Sequence, residues 1–359
     1  MRQAARVLAV VLGCLACAAC SDTDLRSYIE NIQSPVYTAG YYNNGSRSIA
    51  CFWHGTLRTD LPDGPGATNS SGYAAVVSGG TVYTVGTYYT GSSSAACYWA
   101  DDGAPVILPV PGGATVGASG IYVSGNTVLT AGYYSSGVSV ACYWNGTTRQ
   151  DLSAPGGYTA TNVFANSIFS SGGMIYTAGY FYDNGTAQRY RAAYWAGTNG
   201  FALPDGTGAT LSKAVSIFVS SGTVYTAGYY LTATTVVPCY WIGHSSPPTD
   251  LPGIGTNPAW TSSIVVSGGH VYVAGYAYNG ANYVPCYWMD GVMTLLPIPA
   301  SAGSNNYALG ITVLNGTIYT AGYYNNGSYN VGCYWAGTTR TDFPADVNNS
   351  VIVNSIFAQ

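Results

Sequence analysis

The sequence predicts an all-β fold of seven copies of one four-stranded sheet, joined first to last in a ring. Three observations predict it. A phrase close to Tyr-Thr-Ala-Gly-Tyr-Tyr recurs, starting at Tyr37, Tyr83, Leu129, Tyr176, Tyr225, Tyr272 and Tyr319, in steps of 46 to 49 residues. A second anchor, usually Cys-Tyr-Trp, places Trp53, Trp99, Trp144, Trp195, Trp241, Trp288 and Trp335 on the same period. The third observation is the end of the chain. Asn354-Ser355-Ile356-Phe357 repeats Asn166-Ser167-Ile168-Phe169 of the fourth copy and stops where the next strand would begin. Strand-rich units of this period are the blades of a β-propeller, here seven-bladed.

Composition agrees. Of 359 residues only 7% are charged, while Gly numbers 47 and Tyr 34. Many aromatics and few charges exclude disorder. Gly, Tyr, Thr, Ser and Val suit short strands joined by tight turns. A net charge of −4, with Lys213 the one lysine, excludes a nucleic-acid surface.

Taken in order, residues 1–19 read as a lipoprotein-type signal peptide. Arg2 and Arg6 give a basic start, and the apolar stretch from Val7 is too short to span a bilayer. It ends in Cys14, Cys17 and Cys20, with small residues before the last and polar Ser21-Asp22-Thr23-Asp24 after it. Cys20 is the expected lipidation site, with Cys17 the alternative. The chain is then exported and held in the bacterial envelope by its lipid alone. Residues 20–33 form the tether and 34–359 the propeller.

Each copy resolves into strands a to d. In the fourth, Asn166–Ser170 reads as strand a and Gly172-Gly173 as a turn. Met174–Phe181 reads as strand b, and strand c ends at Trp195. A short strand d covers Phe201–Leu203. Asn43-Asn44-Gly45 and Asn325-Asn326-Gly327 mark b–c hairpin tips, where positive φ is needed. The Ala-Gly pair of strand b leaves room for a neighbouring sheet. The first copy lacks a strand a, so the C-terminal strand is expected to complete it and remove the open edges of the ring.

The unit Val313-Leu314-Asn315-Gly316-Thr317-Ile318-Tyr319, continuing to Tyr334-Trp335, resembles the kelch motif, although Gly-Tyr stands where kelch strands close on Gly-Gly. Over residues 35–357 the array is similar to Tyr-x-Ala-Gly-Tyr…Cys-Tyr-Trp repeats of bacterial surface lipoproteins, such as those of spirochaetes. The resemblance implies a propeller and an envelope location, and propellers host unrelated functions.

Six cysteines share one repeat position: Cys51, Cys97, Cys142, Cys239, Cys286 and Cys333. Neighbouring blades hold such positions about 10 Å or more apart, too far for a disulfide, and Ala193 takes the place in the fourth copy. Buried free thiols are expected. Asp60, Asp151, Asp250 and Asp342 share a second position, where Ile107, Ala202 and Leu295 stand in other copies. The expectation is a carboxylate bonding a turn. His54, His244 and His270 occupy unrelated positions. No catalytic set, metal site or cofactor emerges.

Tyrosine clusters before each b–c tip, and rigid Tyr beside small polar groups suits recognition. The candidate binding face comprises Tyr42, Tyr88, Tyr134, Phe181, Tyr230, Tyr278 and Tyr324. The leading expectation is a monomeric, non-enzymatic binding or scaffold protein that takes a protein partner on the b–c/d–a face. A multivalent lectin and a hydrolase or lyase with a central-channel site are the alternatives.

Overall fold

A computed structural model describes residues 30, 31, 33–91, 93–185, 187–344 and 349–359. The expected signal peptide and Cys14, Cys17 and Cys20 lie outside the described residues. The chain is a seven-bladed β-propeller of four-stranded antiparallel blades. Blade one runs, from the channel outward, Val351–Ala358, Val36–Asn43, Ser48–His54 and Leu57–Asp60. The C-terminal strand therefore supplies its inner strand, with Tyr37 paired to Phe357 and Thr38 to Ile356. Each inner strand packs against the next around the ring, and Val351–Ala358 links the seventh blade to the second.

An apolar cluster fills each interface between blades. Tyr194, Leu203, Ile217, Val219, Tyr230 and Trp241 share the one between blades four and five. The seven anchor tryptophans are at most 1% exposed. Most indole N–H groups donate to a carbonyl of the preceding blade's outer connection, as Trp241 does to Pro204 O (2.8 Å) and Trp288 to Pro252 O (2.9 Å). A buried indole thus supplies large apolar area while its polar atom is satisfied. All six repeat cysteines are free and buried, as their spacing predicts.

Strand a departs from expectation. In blade four it covers Ala160–Ser171 and carries irregularities at Asn162 and Asn166. A bulge at the second of these positions recurs in every blade, for example at Tyr73, Ser262 and Leu309. It explains the Gly of strand b. A Cβ on Gly179 would lie 1.8 Å from Phe164 O, and one on Gly322 1.9 Å from Tyr307 O. The glycine admits the bulged strand of its own blade, rather than a neighbouring sheet. At the tips, Gly45 and Gly327 adopt φ of 93° and 98°. The side chains of Asn43 and Asn325 accept their N–H groups.

Candidate functional site

Two tyrosines stand side by side near the end of most b strands, and alternation sends them to opposite faces of the blade. The structure places the residues of the sequence-derived set mainly inside the blade interfaces. Tyr42, Tyr88, Phe181, Tyr230 and Tyr324 are buried, and Tyr134 and Tyr278 are partly so. The hydroxyls of Tyr42, Tyr134, Tyr230 and Tyr324 donate to Asp60, Asp151, Asp250 and Asp342 at 2.9–3.0 Å. These carboxylates therefore bond tyrosine hydroxyls instead of turns. Arg58, Arg149 and Arg340 lie over Tyr42, Tyr134 and Tyr324 while bonding the same carboxylates. Tyr88, whose blade carries Ile107 in place of the carboxylate, packs its ring against Gly64, as Tyr230 does against Gly206.

One residue earlier, or two in blade six where Ala277 stands at the first position, lies a second set: Tyr41, Tyr133, Tyr180, Tyr229, Tyr276 and Tyr323, all half-buried. They stand beside the inner strand at the channel mouth. Tyr180 pairs with Phe164, Tyr229 with Lys213, Tyr276 with Trp260 and Tyr323 with Tyr307. Blade two has Thr87 there, and Tyr73 from its inner strand bonds the Thr87 hydroxyl at 3.2 Å. Burial is the main cause of upward shifts in Tyr41, Tyr180, Tyr229, Tyr276 and Tyr323, and neighbouring rings add to it in all of these but Tyr229. Tyr180 is pushed up to about 12 by burial, then by Tyr229, Tyr190 and Tyr133. Tyr323 is raised by burial, Tyr307 and Tyr41. Tyr180, Tyr276 and Tyr323 stay neutral near pH 7, and Thr87 interrupts the set at blade two.

A cavity opens in this set between blades six and seven. Trp260, Tyr276, Tyr283, Tyr307, Leu309 and Tyr323 line a cavity of about 210 Å³. Trp260 stacks on Tyr276 at 5.4 Å, and Tyr283 and Tyr307 stand edge-on to Tyr276 at 5.6 and 4.5 Å.

Polar groups of the channel wall are spent on joining blades. At the bulge, Ser119 Oγ donates to Asn166 O, Asn166 Nδ2 to Ala214 O, Ser262 Oγ to Ala308 O and Asn354 Nδ2 to Gly72 O. The histidines are dispersed. His54 bonds Ser34 O, His244 bonds the Tyr194 hydroxyl, and His270 bonds Asp290 at the surface. In blade four Arg191 pairs with Asp183 and Asp205, and Arg189 with Asp205.

No family model matches the chain, and no curated protein matches it. Solved structures are similar to it in fold. A puromycin-hydrolyzing peptidase of Mycobacterium tuberculosis is 11% identical, with a TM-score of 0.53 over 87% of this chain and 53% of that one. A prolyl endopeptidase is 10% identical, with a TM-score of 0.50 over 91% and 52%. The chain spans about half the length of each peptidase. Likeness at this level of identity carries the propeller fold alone.

Proposed function

We propose that this chain is a non-enzymatic binding module that receives a partner protein at the tyrosine-ringed mouth of its channel. The observation that carries the reading is that ring. Six half-buried tyrosines stand beside the inner strands near the b–c tips, two of them lining the cavity between blades six and seven, whereas Ser119, Asn166, Ser262 and Asn354 at the bulge bond neighbouring blades. Large rings with few rotatable bonds lose little entropy on binding and offer both apolar faces and polar tips. Export and lipidation at Cys20, in an envelope protein related to kelch-like repeat lipoproteins, complete the proposal. A Cys20→Ala chain that still incorporated a fatty-acid label would remove that part.

The mouth differs from blade to blade through Thr87, Lys213 and Trp260, which favours one composite site over the seven equal sites of a multivalent lectin. The hydrolase alternative draws on the peptidases named among the fold neighbours. Among the described residues the three histidines are dispersed and bond Ser34 O, the Tyr194 hydroxyl and Asp290, so they lend it no Ser-His or Cys-His pair.

The test is a peptide and glycan array probed with the full chain, with Tyr323→Ala and with Tyr324→Phe. Peptide signals lost in the first variant and kept in the second are expected. Signals confined to glycans, or turnover in a parallel amide and glycoside screen, would overturn the reading.

A further inference from the structure

Two of the mouth's aromatic boxes correspond residue for residue, two blades apart. Phe164, Tyr180 and Tyr190 of blade four match Trp260, Tyr276 and Tyr283 of blade six. Lys213 of blade five then matches Tyr307 of blade seven, since they pair with Tyr229 and Tyr323. The central rings keep one geometry. Tyr180 and Tyr190 meet at 5.4 Å and 87°, Tyr276 and Tyr283 at 5.6 Å and 88°.

The contents differ. In the first box the Lys213 ammonium sits 4.5 Å from the Tyr180 ring centre and 5.0 Å from that of Tyr190. Both distances are those of a cation held by aromatic faces. In the second box the Tyr307 ring takes the lysine's place, 4.5 Å from Tyr276 and 5.5 Å from Tyr283, the stronger π donor Trp260 replaces Phe164, and a cavity of about 210 Å³ lies beside these rings, bounded also by Leu309 and Tyr323. Burial pushes the Tyr276 phenol up, so the ring stays neutral near pH 7 and attracts a cation by its face rather than as a phenolate.

We propose that the cavity between blades six and seven is an aromatic cage for a quaternary ammonium group, for which Lys213 in the equivalent box is the protein's own precedent. This rests on the mouth being the binding surface and names what it recognises there. A quaternary ammonium fits better than a bare one. It is weakly hydrated and needs no hydrogen-bond acceptor, and the lining presents π faces and Leu309. The group could arrive on a free small molecule or on a trimethylated lysine of the partner protein.

Trp260 makes the test direct, because the other seven tryptophans are sealed inside the blades. The full chain is titrated with tetramethylammonium, with a trimethyllysine peptide and its unmethylated form, and with choline against its uncharged tert-butyl analogue. Saturable change in Trp260 emission is expected with the quaternary ligands, about tenfold or more tighter than with the uncharged analogue. A peptide preference over tetramethylammonium assigns the source to protein, and the reverse assigns it to a small molecule; either supports the cage. Tyr307→Lys should abolish binding by filling the cage from within, with the melting temperature retained. Lys213→Ala should raise the calorimetric count from one ligand per chain to two.

Equal binding of the uncharged analogue, or a count that stays at one, would overturn the ammonium assignment. So would the absence of any saturable response. Array ligands lost in Tyr323→Ala would in those cases still uphold the mouth as a binding face.

Discussion

The adjacent tyrosines of strand b, Tyr323 and Tyr324 in blade seven, have opposite fates. Tyr324 is 6% exposed, with its hydroxyl on Asp342 at 3.0 Å and the Arg340 guanidinium over its ring. Tyr323 is half-buried at the channel mouth, edge-on to Tyr307 at 5.3 Å and part of the open cavity. The same contrast holds for Tyr41 and Tyr42 and for Tyr229 and Tyr230. One residue of register, which turns a side chain to the other face of the strand, separates a tyrosine buried between two blades from one left half-exposed.

Both sets depend on the ring being closed, so the largest effect comes from opening it. A chain ending at residue 349 loses Val351–Ala358, the inner strand of blade one, together with its contacts to blades two and seven. It should lose cooperative thermal unfolding altogether. A melt like that of the intact chain would show that neither set needs closure.

Next come the paired substitutions. Tyr324→Ala empties a buried aromatic site and should cost about 3–5 kcal/mol in denaturant unfolding. Tyr323→Ala should cost only about 1–2 kcal/mol, because part of its ring is already in water. Equal costs would erase the distinction between the sets. Smaller still, Tyr324→Phe removes one hydroxyl from Asp342 and should cost about 1 kcal/mol.

Alkaline titration sharpens the contrast further. Burial first, then the nearby Asp342 carboxylate, pushes Tyr324 up to about 12; burial and Asp60 do the same for Tyr42. A free phenol titrates near 10. Folding therefore favours the neutral phenol. The stabilisation is complete below about pH 10 and is lost as pH rises from there through about 12. Asp342→Asn should shift the Tyr324 ionisation downward, read as tyrosinate absorbance. An unchanged titration would remove the carboxylate as a cause.

The blade count, the ring closure and the buried thiols were legible because two anchors and a severed strand keep one period. The bulge in strand a was not, since an extra residue breaks the twofold alternation on which strand reading rests. The candidate site was legible only to within one residue. Alternation separates Tyr41 from Tyr42 without saying which face is open. A signal was nonetheless present: Tyr42, Tyr134, Tyr230 and Tyr324 occur in copies with Asp60, Asp151, Asp250 and Asp342, whereas Phe181 and Ala277 occur with Ala202 and Leu295. Hydroxyl and carboxylate come and go together, which marks a buried bond. Tyr88 with Ile107 blurs the pattern, because its ring is held by packing on Gly64.

The division between the two tyrosine sets is tested most directly by solution NMR of tyrosine rings during titration with tetramethylammonium. The account predicts shifts for Tyr276, Tyr283, Tyr307 and Tyr323, with Tyr42, Tyr230 and Tyr324 unmoved. Shifts in the second group with the first unmoved would contradict it.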